Sequence, residues 1–448
     1  MNLHCCQQLG SLGGSGRGKV STGQTDAAPV GTKAAGDYRM GCHVRRQRGG
    51  LSTVLSDTER LVLRLLSFKP LVEKPAVVEN QQIWDGLLSL GEAQGLIPLL
   101  YWQVRQQGLE NRLPTGVRER LCFGYQKNVA RATLLLRELR SILGALADVG
   151  ITAVLLKGAI TLVVPIYPCF ACRWMSDLDL LIKKEQSERA KGILGQMGYR
   201  LQLPEGQDCL TYRRNSGIGD IELHFTPLKA QYHCLVDVSS FWAEAEQVEI
   251  GGIKSLVPSP EDQIWHRIVH DLLVHANFTI CPAATLYELC RIITYYQGRI
   301  DWENLNWRAK KHHLSQTLSF LLFLVHQDLG LASPKWRGFS RLAHPERWRD
   351  WIWDRKRAFP RSFIYARNRF NTILMSDGDI WGKFKATYRT IILNSAFREP
   401  QGFLLRVYQV DRYPFLTPLI RLLHCIKMLA MHMIMMVTYL RFRAKADG

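Results

Sequence analysis

The sequence of 448 residues lacks a second cysteine pair at the spacing of a zinc motif. Its eleven cysteines are scattered, and Cys169 and Cys172 form the only closely spaced CxxC. This distribution excludes a structural zinc site made of two CxxC pairs. We expect the thiols to be reduced and mostly buried, as in a cytoplasmic protein.

Long apolar runs without polar residues are also missing. Residues 414–440 come closest, but four polar side chains interrupt them: Arg421, His424, Lys427 and His432. The clean stretch from Met428 is interrupted by His432 and is too short to span a membrane, so we expect the segment to form an amphipathic helix packed on the body of the protein. The alternative is a helix at a membrane surface beside Arg441 and Arg443, which would make the protein membrane-peripheral.

Residues 1–50 have no hydrophobic periodicity. They are rich in Gly, Ser and Thr and lack the continuous apolar core of a signal peptide. We expect this segment to be disordered. Met40 offers a second start, so residues 1–39 need not belong to the native protein.

Acidic residues are fewer than basic ones, and the formal net charge is +19. Residues 1–50 hold seven Lys/Arg against two Asp/Glu, and residues 335–448 hold twenty-two against eight, so the middle of the chain is neutral. The basic C-terminal region is either a solvated face or a surface that attracts an acidic partner, anionic lipid or nucleic acid. It contains no recognisable nucleic-acid module, so we expect no stable nucleic-acid complex.

The most informative stretch is the apolar run 176–182, which contains Asp177 and Asp179. Side chains alternate between the faces of a strand, so these two carboxylates share one face while the leucines between them point to the core. Glu222 and His224 share a face in the same way. If the two strands are neighbours, three carboxylates converge and need a cation such as Mg²⁺ or Mn²⁺. Two such ions are the usual device for in-line phosphoryl chemistry.

A second Asp-x-Asp, at Asp377 and Asp379, has a glycine spacer and is interpreted as a turn. The first pair differs because acidic residues on a core strand are rare unless they are paired or bound to metal. We therefore select Asp177, Asp179 and Glu222 as the catalytic and metal-binding residues.

A phosphate-binding turn is predicted upstream of the acidic strand. Residues 151–156 are an apolar run typical of a buried strand, and Lys157 and Gly158 lie between this run and a helix start. This geometry lets backbone N–H groups approach a phosphate, and Lys157 adds a positive charge. Arg173 could bind triphosphate oxygens with its planar fork, or it could neutralise the Asp pair as a structural partner.

His224 has two open roles. It could be a metal ligand or a nucleotide contact, or it could support a metal ligand through a hydrogen bond. We favour the supporting role, because His224 shares its face with Glu222.

The order of these motifs resembles the uncharacterised nucleotidyltransferase family of the DNA polymerase beta-like superfamily. The matching features are LLKG at 155–158, Tyr167-Pro168, Arg173, DLDLLI at 177–182, Gly198-Tyr199 and IELH at 221–224. The resemblance extends over about residues 55–330. It implies an α+β fold in which a polymerase-beta-like core, a small mixed sheet with flanking helices, lies between N-terminal and C-terminal helical regions.

This fold divides the chain into five parts: a disordered segment 1–50, a helical lead-in 51–150, a nucleotidyltransferase core 151–257, a helical domain 258–334 and a basic helical C-terminal region 335–448. The chain departs from the wider superfamily in one respect. Lys157-Gly158 replaces the usual Gly-Ser, and Asp177 comes nineteen residues after Gly158.

The resemblance implies a metal-dependent nucleotidyltransferase that moves a nucleoside monophosphate from an NTP such as ATP to an acceptor. The acceptor stays open among small molecules, sugars, peptides and proteins. Asp177, Asp179 and Glu222 would bind Mg²⁺ or Mn²⁺, and Lys157, Gly158 and Arg173 would bind the triphosphate. The alternatives are a non-catalytic nucleotide-binding regulatory protein and a nucleic-acid-binding protein acting through the basic C-terminal region.

Overall fold

The computed structural model describes the chain from the first predicted helix onward, with gaps. The described residues are 57–69, 80–202, 208–215, 217–228, 230–274, 283–332 and 417–447, with the single residues Glu346, Arg349, Gly382 and Phe415. Three predictions fall outside them: the disordered segment 1–50, the Asp377–Asp379 turn and most of the basic region before residue 417.

Within the described residues, four α-helices precede the sheet: α1 (Asp57–Leu66), α2 (Gln81–Ala93), α3 (Ile97–Gln106) and α4 (Thr115–Asp148). Asn80 begins α2, because its side chain accepts the N–H groups of Gln82 and Ile83 that have no partner within the helix. Helix α4 holds the segment that leads into the acidic strand. The Asn128 Nδ2 donates to the Ala171 carbonyl at 2.7 Å, and the Arg131 Nε donates to the Met175 carbonyl at 2.8 Å.

Seven strands form one mixed sheet in the order β3-β4-β5-β2-β1-β7-β6. The strands are β1 (Val154–Leu155), β2 (Asp177–Leu181), β3 (Arg200–Leu201), β4 (Cys209–Arg213), β5 (Asp220–His224), β6 (Glu246–Ile250) and β7 (Ile253–Val257). β2 pairs in parallel with β5 and antiparallel with β1, and β1 pairs in parallel with β7. Three short helices flank the sheet: α5 (Lys157–Thr161), α6 (Ser187–Gln196) and α7 (Val238–Ala243).

β6 and β7 form a hairpin whose tight turn is made by Gly251 and Gly252. β6 and β7 pair antiparallel, with Ile250 opposite Ile253 across the turn. The φ angles of Gly251 and Gly252 are 60° and 87°, in the left-handed region that glycine adopts without a Cβ penalty.

Helices resume after the hairpin. α8 (Pro260–Ile268) begins where Ser259 accepts the Asp262 N–H, as the sequence predicts, and it continues into a π-helical turn at Val269–Val274. Three further helices follow: α9 (Ala283–Tyr295), α10 (Trp302–Lys311) and α11 (Ser315–Leu329). In a π-helical turn the backbone hydrogen bonds join residues five positions apart, one more than in an α-helix, and such turns often lie near functional sites.

The C-terminal helix α12 spans Thr417–Asp447. By length and composition, its part Thr417–Val437 is long and apolar enough to cross a membrane. The four polar interruptions in the sequence therefore do not by themselves exclude a membrane span. Three of its methionines, Met428, Met431 and Met435, are buried in the same hydrophobic cluster as the core. One face of α12 therefore packs on the body, which is the packing that the sequence favours.

The hydrophobic core is continuous from α1 through the sheet to α12. The predicted fold class is confirmed: a mixed sheet with flanking helices lies between N-terminal and C-terminal helical regions. The boundaries of the five predicted parts stay predictions.

Candidate active site

The two acidic strands are neighbours. β2 and β5 run in parallel register, with Asp177 opposite Asp220 and Asp179 opposite Glu222. The alternating residues Leu178 and Leu180 are fully buried. The apolar face of the two strands thus packs on the core, and the acidic face presents its carboxylates together.

Asp179 lies at the centre of the site and is almost completely buried. The Lys157 Nζ donates to its Oδ1 at 2.6 Å, and the His224 Nε2 lies 2.9 Å from the same oxygen. Burial alone would raise the pKa of Asp179, but the Lys157 charge and the His224 hydrogen bond outweigh it and hold this pKa well below its ordinary value. Asp179 is therefore an ionised carboxylate at neutral pH.

Asp177 is in the opposite electrostatic situation. Burial, together with the charges of Asp179 and Glu222, raises its pKa from 3.8 to about 6, although Lys157 and the Ser176 hydroxyl act against the shift. A raised carboxyl pKa means that the surroundings disfavour the ionised form, here first through burial and then through the two neighbouring acids. A cation bound at Asp177 would therefore stabilise its carboxylate.

Glu222 completes the acidic face. Its Oε2 lies 3.8 Å from the Lys157 Nζ and 3.3 Å from the His224 Nε2, and its side chain is 29% exposed. The neighbouring acid on β5, Asp220, is bound by Arg213 through two hydrogen bonds of 2.6 and 2.5 Å. Of these two acids on β5, Glu222 is thus the one beside Asp179.

Lys157 lies where a cation is needed. Its backbone has a φ of 47°, which is strained for a residue with a Cβ and costs about 1–2 kcal/mol. Burial works to lower its pKa, but the charges of Asp179 and Glu222 raise it overall, so the ammonium stays charged. The sequence assigns Lys157 to the triphosphate, whereas the structure places its Nζ among the carboxylates.

Gly158 and Arg173 are packed against each other. A Cβ at Gly158 would lie 2.5 Å from the Arg173 Nη1, so only glycine fits beside this guanidinium. The Arg173 Nε donates to the Glu288 Oε2 at 2.9 Å, in α9. Arg173 therefore joins the segment before β2 to the C-terminal helices. It acts as a structural ion-pair partner, but of Glu288 and not of Asp177 or Asp179. Its predicted contact with triphosphate stays a prediction.

Glu288 belongs to a buried network of four charges. It also binds Arg267, and the Arg267 Nη1 lies 3.1 Å from both oxygens of Asp271 in the π-helical turn. The Tyr167 hydroxyl donates to Glu288 at 3.3 Å. Two cations and two anions balance, as buried charges must. Glu288, Arg267 and Asp271 are not among the predicted site residues, because no local signal links these distant residues to Arg173, and Glu288 lies 115 positions from it.

His224 lies against both Asp179 and Glu222, so its two predicted roles, as a ligand or as the support of a ligand, stay predictions. Burial would lower its pKa, but the hydrogen bonds to Asp179, Cys209 and Glu222 raise it well above its ordinary value. Cys209 on β4 lies directly opposite His224, with its Sγ 4.0 Å from the Nε2. The sequence predicts a strand at Cys209 but not its register, so this thiol was missed.

Comparison with known families matches residues 80–330 to the uncharacterised nucleotidyltransferase family. The chain belongs to this family. No curated protein and no solved structure matches the chain. Membership of a nucleotidyltransferase family supports a transferase activity of this kind in general terms.

Nucleotidyltransferases generally use divalent metal ions, and the acidic face fits such ions chemically. Asp177, Asp179 and Glu222 offer hard oxygen donors, which suit Mg²⁺ and Mn²⁺. Burial and the charges of Asp179 and Glu222 keep the pKa of Asp177 raised although Lys157 acts against the shift, so a further cation on this face would stabilise its carboxylate.

Proposed function

We propose that this nucleotidyltransferase moves a nucleoside monophosphate from an NTP to an acceptor hydroxyl and releases pyrophosphate. The observation that carries the proposal is the convergence of Asp177, Asp179 and Glu222 on one face of β2 and β5. In the reaction the bond between the α- and β-phosphates breaks, and a bond forms from the acceptor oxygen to the α-phosphorus.

The chain supplies two kinds of group for this chemistry. Asp177, Asp179 and Glu222 would bind Mg²⁺ or Mn²⁺, which neutralises triphosphate charge when bound. Glu222, the more exposed member beside Asp179, would orient the acceptor hydroxyl and take its proton. His224 fixes the orientation of Asp179 through the 2.9 Å contact.

Lys157 would have two successive partners. Without metal, its ammonium compensates Asp179 and Glu222. A divalent ion on the same carboxylates would repel it, and the triphosphate oxygens would offer it a new anionic partner. This exchange reconciles the position of Lys157 with its predicted role at the triphosphate.

Labelling with α-³²P-NTPs tests the proposal. The purified protein is incubated with each NTP and Mg²⁺ or Mn²⁺ in a cell lysate, and the labelled products are separated. We expect one NTP to label an acceptor, and Asp177→Asn to abolish the label. Glu249→Gln, an exposed acid on β6, is the matched control and should retain it. A label that persists in Asp177→Asn would refute the proposed site.

A non-catalytic regulatory protein is the alternative of a different class. The convergence of all three carboxylates argues against it, since Asp177, whose ionisation disfavours the folded state, does not serve to hold the fold. Binding of an NTP without any turnover in every lysate tested would favour the regulatory alternative.

We further propose that α12 attaches the protein peripherally to an anionic membrane surface. Its exposed face carries apolar side chains at helical spacing: Leu419, Leu422, Leu423, Ile426, Met433, Ile434, Val437 and Leu440. Leu422 and Ile426 are 58% and 54% exposed. The sequence places Arg441, Arg443 and Lys445 at the end of this helix, where they complement anionic headgroups.

A further inference from the structure

Cys209, Glu222 and His224 form a cluster at the edge of the acidic face. Cys209 and His224 are directly opposite each other on the antiparallel strands β4 and β5. The Cys209 Sγ lies 4.0 Å and the Glu222 Oε2 3.3 Å from the His224 Nε2. One donor atom from each of these three side chains lies within 4.8 Å of the other two.

Three side chains crowd the His224 Nε2. Carboxylate oxygens of Asp179 and Glu222 lie 2.9 and 3.3 Å from this nitrogen, and the Cys209 thiol sulfur lies 4.0 Å from it. An imidazole nitrogen carries at most one hydrogen, which cannot bond well to both carboxylates at once. A metal ion between the donor atoms would instead bind the lone pairs of sulfur, nitrogen and oxygen at once.

The chemistry of the three donors selects the metal. Mg²⁺ takes oxygen ligands and avoids sulfur, whereas Zn²⁺ binds thiolate, imidazole and carboxylate in tetrahedral sites. Zn–S and Zn–N bonds of about 2.3 and 2.1 Å place ligand atoms about 3.4–3.6 Å apart in a tetrahedron. The contacts of 3.3 and 4.0 Å are within about 0.5 Å of that requirement.

We propose that Cys209, Glu222 and His224 bind Zn²⁺ through three protein ligands and a water, and that Zn²⁺ switches off nucleotidyl transfer. The inhibition rests on the proposed function, because Zn²⁺ takes the same Glu222 that would serve the acceptor hydroxyl. The Zn²⁺ site itself rests only on the donor geometry. This Zn²⁺ site differs from the Mg²⁺ or Mn²⁺ site proposed at Asp177, Asp179 and Glu222, because it uses the sulfur of Cys209 and does not need Asp177.

Co²⁺ is the probe, because a thiolate ligand gives it an intense near-ultraviolet absorption and tetrahedral geometry gives it strong visible bands. The full-length wild-type protein, freed of metal, is titrated with Co²⁺ and then with Zn²⁺, with no nucleotide present. We expect the thiolate band to reach its full intensity at one equivalent of Co²⁺ per protein. Added Zn²⁺ should displace the Co²⁺ and remove the band. Cys209→Ser should abolish the band and weaken Zn²⁺ binding by about tenfold or more. Cys122→Ser, a half-buried thiol on α4, is the matched control and should keep the band.

Activity is measured separately with Mg²⁺ and increasing Zn²⁺. We expect Zn²⁺ to inhibit the wild type and Cys122→Ser, and Cys209→Ser to keep the Mg²⁺ activity and lose the inhibition. Absence of a thiolate band in the wild type, or a band that survives in Cys209→Ser, would overturn the Zn²⁺ site. A normal band with undiminished activity would overturn the inhibition. No transfer under any condition would contradict the proposed function, while the band would still support the site.

Discussion

The Lys157 ammonium lies 2.6 Å from the Asp179 carboxylate, at the centre of the acidic face of β2 and β5. Lys157 and His224 both contact Asp179, whereas the pKa of Asp177 is raised by its burial and by the charges of Asp179 and Glu222. Asp177 and Asp179 therefore differ in their energetics, although the sequence presents them as an equivalent pair.

Asp177→Asn should stabilise the metal-free protein at pH 7–8. The folded pKa of Asp177 is about 6 against an ordinary 3.8, so its ionisation disfavours the folded state above pH 6. We expect a gain of roughly 1–3 kcal/mol in the free energy of unfolding, and the gain should disappear as the pH falls below about 4. Urea denaturation in EDTA across this pH range measures it. A loss of stability in Asp177→Asn at pH 7–8 would contradict the raised pKa of Asp177.

Asp179→Asn should have the opposite effect. It leaves the charges of Lys157 and His224 without their common buried anion, and removal of one partner from a buried ion pair costs about 3–5 kcal/mol. The same urea experiment should show a clear loss at pH 7–8. Equal stability of the two variants would mean that Lys157 does not prefer Asp179.

Lys157→Met should strengthen the binding of free divalent ions. The ammonium competes with a metal for Asp179 and Glu222, so its removal should raise the affinity for Mn²⁺ on the order of tenfold. Electron paramagnetic resonance of Mn²⁺ without nucleotide measures this affinity. Lys183→Met, at a lysine next to Trp242, is a control that keeps the acidic face intact. An unchanged or lower affinity in Lys157→Met would exclude the competition.

The outline of this site follows from the sequence because it depends on strand alternation. The apolar residues that alternate with Asp177 and Asp179 predict a buried strand, and the same pattern predicts a second strand at Glu222. The pattern alone leaves open whether the two strands are neighbours. The hairpin at Gly251 and the helix start at Ser259 are likewise local signals, and the structure contains both.

What the sequence misses depends on contacts between distant segments. The strained φ of Lys157 turns its side chain to the carboxylates, and no propensity predicts such an angle for lysine. Arg173 pairs with Glu288, which lies in a different helical region. The Cys209–His224 register depends on how β4 and β5 align, and their connection includes residues outside those described.

The buried network predicts that Glu288 matters more for folding than Arg173. Glu288→Gln leaves Arg173 and Arg267 without a shared anion and should cost about 3–5 kcal/mol, whereas Arg173→Gln leaves Glu288 paired with Arg267. The double variant should be about as unstable as Glu288→Gln alone. Asp220→Asn removes the exposed pair with Arg213 and should cost less than about 1 kcal/mol.

The same Arg173 variants test the predicted triphosphate contact. If Arg173 also binds triphosphate, Arg173→Gln should weaken NTP affinity at temperatures where the variant is fully folded. Additive stability losses for Arg173→Gln and Glu288→Gln would contradict the network, and this result would be independent of the NTP measurement.

The exposed face of α12 should bind anionic vesicles. We expect the protein to sediment with phosphatidylserine vesicles but not with phosphatidylcholine vesicles, and added salt should weaken the binding. Leu422→Glu with Ile426→Glu should abolish it without unfolding, because both side chains are exposed. Truncation of α12 is a poorer test, since Met428, Met431 and Met435 are part of the core. Concentration-dependent dimerisation with no vesicle binding would instead assign this face to a second copy of the chain.

Equilibrium binding of NTPs with and without divalent ions tests the central claim most directly. Calorimetric titration of the wild-type protein with each NTP should show binding in Mg²⁺ or Mn²⁺ and none in EDTA, because uncompensated triphosphate and carboxylate charges repel. Asp177→Asn should lose the metal-dependent binding, and Glu222→Gln should largely keep it while the chemical step slows by several orders of magnitude. Equal affinity for the NTP in Mg²⁺ and in EDTA would contradict a metal-binding acidic face.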